Sequence, residues 1–465
     1  MTRSVAIVYD DTRKPGREIA VITGDKSFGQ TIYKRQTLRD RVADVFLSFP
    51  EVSGFYEAGS KEMSEINSTP VILFFSDFGI ADTKELETIV YKAGYAHENY
   101  KITQANRIAC VIFKDAHSFF SALPGDLEKY TEIACNAFTD LSDAGNFRSF
   151  ITGGFDARFF NSLSGDECTV VKSSDKKSKI RAEYTFYGLL PEDMKQWFVR
   201  TYDYREEGDR ASYKMPRYHM TDLAIRYVHG SIGTEEFSDI LKHLFWFLSH
   251  RKSEQISAME YEAASKRLYV SKVYERVNAL KQMSGYDKIA GLIENATCYK
   301  DIDEITARYV RLYDRIREKM TFDHVRTISH GDMCFSNILY SNADDLVILI
   351  DPKGAMTEDE LYMDPYYDIA KLSHSICGYY DFFNSGLYEI TLDEDLKAKV
   401  RVDADNRQYV AMFNEHLKQA GCDLALVRLY ETSLFLSMLP FHMDRPDKVF
   451  GFILNALAIM DSLER

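Results

Sequence analysis

One pattern restricts this chain more than any other. Ser329-His330-Gly331-Asp332-Met333-Cys334-Phe335-Ser336-Asn337 runs into the apolar Ile338-Leu339-Tyr340, and a second apolar run, Leu346–Ile350, ends in Asp351-Pro352-Lys353-Gly354. Asp332 and Asn337 stand five residues apart, and Asp351 follows Asn337 by fourteen. Short apolar runs bounded by polar turns predict buried strands. Asp332 and Asn337 then sit on the turn before the first strand, and Asp351 at the end of the second. The trio suits phosphoryl transfer, which needs a group to orient and take the proton of an acceptor, and hard oxygen ligands for Mg²⁺ on the nucleotide phosphates. Either Asp332 or Asn337 alone would serve equally as a turn or capping residue. The turn pair, its apolar frame and the later strand-borne Asp351 together are not explained that way.

His330–Asn337 with Ile350-Asp351 resembles the aminoglycoside phosphotransferase and choline kinase group in residue type and spacing. The resemblance implies a protein-kinase-like bilobal α+β domain, with a small antiparallel β lobe and a mostly helical large lobe. It implies an ATP- and Mg²⁺-dependent small-molecule kinase in which Asp332 is the base and Asn337 and Asp351 hold the metal. It further implies a Lys on the third strand of the small lobe and a Glu on the next helix. Lys172, closing Cys168–Lys172, and Glu183, in Arg181–Tyr184, occupy that order. Lys172 would neutralise phosphates and Glu183 would hold its ammonium. Taken singly, Lys172 also reads as a strand-end surface lysine, and Glu183 as a first-turn carboxylate favoured by the helix dipole.

The same resemblance places a phosphate-covering loop at Thr152-Gly153-Gly154-Phe155, where glycine lets backbone N–H groups approach an anion. A plain hairpin turn fits Gly153 and Gly154 as well. Tyr213–Tyr218, with Met215, is the expected link between lobes and the seat of the base. In Met363–Leu372, Asp368 is the expected brace of the catalytic turn and Asp364 a helix cap. His330 is expected to anchor the turn rather than act as acid or base. Ser375–Phe383 combines aromatics with Asp381, which fits a cation pocket or a packed aromatic core.

Along the chain, residues 1–125 alternate short apolar runs (Ser4–Tyr9, Ile19–Ile22, Val71–Phe75, Ile108–Phe113) with helical patterns (Thr37–Phe49, Thr83–Ala93). They predict an α/β domain with a largely parallel sheet. Residues 146–220 predict a meander of strands over Phe147–Ile151, Phe155–Phe160 and Cys168–Val171, then a helix over Ala182–Leu190. Residues 221–465 predict a mainly helical large lobe carrying the catalytic loop. The first domain faintly resembles sugar-phosphate nucleotidyltransferases at Lys34–Val42 and at Pro70–Ile80, where Asp77 would be the metal-binding residue. Asp10–Gly16 lacks that family's Gly-rich loop. A truncated or degenerate domain used for assembly or regulation, including homo-oligomerisation, is therefore favoured. Two alternatives stay open: a bifunctional nucleotidyltransferase and kinase, and a nucleotide-binding pseudokinase scaffold.

Lys plus Arg number 57 and Asp plus Glu 71, a net charge of −14. This argues against a nucleic-acid surface and favours a cationic or neutral acceptor over a polyanion. The acceptor classes in view are amino alcohols, sugars and polyols, and a fusion of this kind would fit a cell-surface polysaccharide precursor pathway. Seven scattered cysteines without a C-x-x-C pair argue for reduced thiols in the cytoplasm. No signal peptide and no membrane span are expected.

Overall fold

A computed structural model of the chain describes residues 3–67, 69–154, 161–166 and 168–464. The chain divides into two compact units, residues 1–157 with 228–231, and residues 158–227 with 232–465.

The first unit is built on strands β1 (Val5–Asp10), β2 (Val52–Glu57), β3 (Val71–Phe75), β4 (Tyr100–Gln104), β5 (Arg107–Phe113) and β6 (Thr131–Ala134), in the order β2-β1-β3-β5-β4-β6. β1 is apolar and buried from Val5 to Tyr9, as a central strand covered on both faces must be. β2, β1 and β3 are parallel, whereas β5 is antiparallel to both β3 and β4. The expected largely parallel sheet is thus a mixed one. Ala105 and Asn106 both have positive φ and close a tight turn, so β5 folds straight back beside β4 and fills the place next to β3.

Ile19–Ile22, expected as a strand, lies inside helix α1 (Arg17–Thr23), which buries Ile19 and Ile22 three residues apart. Leu38–Leu47 and Thr83–Ala93 form helices α2 and α3. Ala144–Gly154 is helix α4 rather than the first strand of a meander. Phe147 and Ile151 are both buried, and their four-residue spacing is that of one helix face. Gly153 and Gly154 therefore close a helix and do not form the expected phosphate-covering hairpin. The boundary between units falls later than the expected start at 146 for the same reason. The strand expected over 155–160 lies outside the described residues.

The second unit begins with an antiparallel sheet of β7 (Asn161–Gly165), β8 (Thr169–Ser174), β9 (Tyr202–Glu207) and β10 (Arg210–Pro216), ordered β7-β8-β10-β9. Helix α5 (Lys177–Leu189) follows β8 and places Ile180 in one apolar cluster with Ala211, Tyr213 and Met215 of β10. Most of the remaining chain is helical: α6 (Thr234–Ser249), α7 (Ala258–Lys266), a π-helical turn Arg267–Ser271, α8 (Lys272–Lys281) and α9 (Ile302–Arg317). Strand β11 (Val325–Ile328) leads to the hairpin β12 (Ile338–Ser341) and β13 (Leu346–Leu349). Helices α10 (Tyr366–Ile376), α11 (Leu424–Met438) and α12 (Pro446–Glu464) complete it.

Tyr380 and Phe383 belong to the large apolar core around α11 and α12. Asp381 is 2% exposed. The aromatic segment is core and not an open cation pocket. The stretch Leu424–His442 is long and apolar enough to cross a membrane by length and composition, but it carries Arg428 and Glu431, and 72% of its most apolar 18 residues are buried inside the protein. That burial is ordinary for a helix at the centre of a bundle.

Candidate active site

The turn before β12 is held from several directions. Asp368, buried in the first turn of α10, accepts the backbone N–H groups of His330 (2.9 Å) and Gly331 (2.8 Å). Arg251 donates to Asp368 Oδ2 at 3.0 Å and to the Pro365 carbonyl at 3.0 Å. This Arg251–Asp368 pair is almost wholly excluded from water. Such a pair persists because each charge is also hydrogen-bonded, and losing one partner would leave the other uncompensated.

His330 sits stacked on Phe198 with no exposed surface. Its Nδ1 accepts the Asp332 backbone N–H at 3.1 Å, and its Nε2 lies 2.8 Å from the Ile350 carbonyl. A carbonyl can only accept and an N–H can only donate, so the ring carries its proton on Nε2. Burial pushes its pKa down, so the ring stays neutral. It links the turn at 332 to the strand end at 350. Asn337 tightens the same turn, its Nδ2 donating to the Asp332 carbonyl at 2.8 Å, which leaves Oδ1 as an oxygen donor. The Ile350 N–H donates to the Asn337 carbonyl at 3.0 Å.

Asp351 follows β13 at φ +55°, a left-handed conformation. Its Oδ1 lies 2.8 Å from Lys172 Nζ, and Lys172 Nζ lies 2.8 Å from Glu183 Oε2. Lys172 comes from β8 and Glu183 from α5, and both are 2% exposed. Tyr213, directly opposite Lys172 on β10, donates to Glu183 Oε2 at 3.2 Å. Burial pushes the Lys172 ammonium down, but the two carboxylates outweigh it and the net shift is upward. For Asp351, burial pushes the carboxyl up and Lys172 more than offsets this, so it stays charged. Gly354, at φ +87°, lets this segment lie against α5. A Cβ there would stand 2.8 Å from the Ala182 backbone, and Ala355 N–H donates to the Ala182 carbonyl at 2.9 Å.

The structure therefore brings together His330, Asp332 and Asn337 on one turn braced by Asp368 of α10, and Lys172, Glu183 and Asp351 in one ion-paired group. His330 ties the two, through Asp332 and Ile350. Met215 does not lie on a link between lobes. It pairs with Val170 inside the β8–β10 ladder, because Tyr213–Pro216 continues the alternation of β10. Its side chain shares a cluster with Ile348, and Val170, Leu339 and Ile350 pack partly buried around it.

Sequence reasoning missed three polar side chains. Lys371, one turn beyond Asp368 on α10, places Nζ 2.8 Å from Asp332 Oδ1. The Asp368/Lys371 spacing, which puts both on one helix face, was the available signal. Arg251 and Tyr213 gave none, since their roles depend on contacts across the fold. In the first unit, Asp77 is 1% exposed and accepts from Arg13 (2.9 Å) and Arg107.

No family model and no curated protein matches the chain. Among solved structures, it is similar to a thermostable mutant of aminoglycoside phosphotransferase APH(4)-Ia in complex with ADP and hygromycin B, at 12% identity and TM-score 0.40. That match covers 68% of this chain and 98% of the other. A protein designated fructosamine-3-kinase, from Haemophilus somnus 129PT, aligns at 12% identity and TM-score 0.37, over 66% of this chain and 90% of its own. The streptomycin–ATP–APH(2")-IIa ternary complex aligns at 13% identity and TM-score 0.34, over 67% and 95%. These are distant likenesses.

Proposed function

We propose that the second unit is an ATP- and Mg²⁺-dependent phosphotransferase that phosphorylates a hydroxyl of a small molecule. The observation that carries this reading is the meeting of Lys172, Glu183 and Asp351, with Lys172 Nζ 2.8 Å from both carboxylates. A strand amine clamped by a helix carboxylate, beside a strand-end carboxylate, is a way to grip phosphates and their cation.

The donor set fits Mg²⁺. Asn337 Oδ1 and the Asp351 carboxylate are hard oxygens on adjacent backbone, bridged by the Ile350-to-Asn337 hydrogen bond. Among the described residues no three His, Cys, Asp or Glu side chains cluster as a metal cage. Mg²⁺ shared with nucleotide phosphates needs only one or two protein carboxylates. When bound, the ion would neutralise charge on those phosphates.

The chain's own residues supply the rest. Lys172 exchanges part of its pairing with Asp351 for phosphate oxygens, while Glu183 and Tyr213 keep its position. Asp332 orients the acceptor hydroxyl and takes its proton. The hydroxyl oxygen bonds to the γ-phosphorus as the bond to the β–γ bridging oxygen breaks, giving a phosphate ester and ADP. The apolar group of Val170, Met215, Leu339 and Ile350 suits a nucleotide base.

The test is Mg²⁺-dependent ADP release from ATP by the full chain, with acceptor mixtures of amino alcohols, sugars and polyols. Lys172→Met and Asp332→Asn should each lower it about a hundredfold or more. Release unchanged in both variants would refute the reading.

A further inference from the structure

A carboxylate that takes the proton of a hydroxyl attacking phosphorus must stand close to the phosphoryl oxygens. Asp332 therefore meets the transferred group as one anion meeting another, partly withdrawn from water, and the two repel. A positive group at the same place is needed to offset that repulsion.

The cations that meet the carboxylates of this region are spent to different degrees. Lys172 Nζ lies 2.8 Å from both Glu183 and Asp351. Arg251 gives its N–H groups to the Leu248 carbonyl, the Ser329 hydroxyl, Asp368 and the Pro365 carbonyl. Lys371 differs. An ammonium has three N–H donors, and among the described residues the acceptor that Lys371 meets is Asp332 Oδ1, at 2.8 Å. After Asp332, the charges that act on it most are those of Tyr367, Cys334 and Tyr380, none of them a carboxylate. Its side chain is 14% exposed, so its remaining donors meet little water.

The position of this ammonium is fixed. Lys371 stands one turn after Asp368 on α10, and Asp368 is wholly buried and holds the His330 and Gly331 N–H groups. One helix thus sets the backbone of the turn through Asp368 and the side chain of Asp332 through Lys371. Asn337 Nδ2 donates to the Asp332 carbonyl at 2.8 Å, and a single imidazole, His330, spans from the Asp332 N–H to the Ile350 carbonyl beside Asp351. The Lys371–Asp332 pair therefore borders the residues assigned above to the nucleotide phosphates.

We propose that Lys371 is a catalytic residue of this site, donating from its ammonium to an oxygen of the transferred γ-phosphoryl group while it keeps its contact with Asp332. The proposal rests on the kinase reading above and adds a contact to it. Lys371 retains its protons throughout. The acceptor's proton passes to Asp332, the acceptor oxygen bonds to the γ-phosphorus, and the bond to the β–γ bridging oxygen breaks. The ammonium offsets charge on the phosphoryl oxygens while these bonds exchange.

The experiment compares the binding of ADP and AMP-PNP, which differ by the terminal phosphoryl group, to the full chain with saturating Mg²⁺, by calorimetry. The ratio of the two dissociation constants reports contacts to that group, and ADP affinity reports whether the rest of the site is intact. It is measured for the unsubstituted chain, Lys371→Met, Asp332→Asn and the double variant. Lys371→Met should weaken AMP-PNP about tenfold or more and leave ADP within about twofold. The same loss is expected when Lys371→Met is made in Asp332→Asn, where no carboxylate is left to be unmasked. A loss that disappears in that background would mean that the lysine only screens Asp332, and overturns the proposal. An unchanged ratio overturns it too, as does equal weakening of ADP and AMP-PNP, the mark of a structural role. Any of these, with both nucleotides bound by the unsubstituted chain, leaves the kinase reading standing. Failure of the unsubstituted chain to bind either nucleotide refutes that reading and the proposal with it.

Discussion

Lys371 Nζ stands 2.8 Å from Asp332 Oδ1, with 14% and 31% of the two side chains exposed. Burial pushes the Lys371 ammonium down, and Asp332 more than offsets that, so the net shift is upward. The two residues lie on different elements, the turn before β12 and the middle of α10. Their pairing fixes the direction of the carboxylate that is proposed to take the acceptor's proton.

A double-mutant cycle measures this. Asp332→Asn leaves a largely buried ammonium without its counter-charge, and Lys371→Met leaves the carboxylate without its own. Each single change should cost about 1–3 kcal/mol, with a coupling of about 1–2 kcal/mol. Urea denaturation of the four proteins gives the coupling. Additive single and double changes would mean the contact contributes nothing to folding.

Gly354 supports the site by close approach. Its φ of +87° and its 2.8 Å clearance from the Ala182 backbone both exclude a side chain. Gly354→Ala should cost about 2–4 kcal/mol. Gly208 has φ +54° with open space around it, so Gly208→Ala should cost only about 1 kcal/mol. The difference in urea midpoints isolates the packing contribution. Equal losses would show that α5 and the segment after Asp351 are not held against each other.

Glu431 predicts a pH dependence. It is fully buried on α11, 2.5 Å from Arg428 Nη1, and accepts from the Ser373 hydroxyl. Burial raises its carboxyl to about 7, with Arg428 and Ser373 opposing. The folded chain therefore holds a proton that the unfolded chain releases near 4.5. Stability from this group is fully present below that value and is lost as pH rises towards about 7, by roughly 1–3 kcal/mol. Glu431→Gln should flatten that slope. Unfolding free energies at pH about 5 and about 7.5 check it; an unchanged slope in the variant would assign the effect elsewhere.

Parts of the fold were legible because they are local. The apolar runs at 338–340 and 346–350 form the β12–β13 hairpin, since a run of that length between turns has little else to become. Lys172 and Glu183 do lie on a strand and on the helix after it. Ala144–Gly154 was misread because Phe147–Ile151 is short enough to satisfy a strand period as well as a helical one. Met215 was expected on a link rather than in β10 because a strand that continues and one that turns out as a linker look alike over a few residues.

The chain's order of residues by itself determined which groups could share a turn or a helix face: Asp332 with Asn337, and Asp368 with Lys371. These follow from backbone periods of a few residues, which sequence carries explicitly. Only the tertiary structure decided that Arg251 reaches Asp368, that Tyr213 backs Glu183 and that Lys371 meets Asp332. Those contacts join segments tens to more than a hundred residues apart. They exist because burial of the surrounding apolar surface brings distant elements together, and no local pattern records where a side chain will then point.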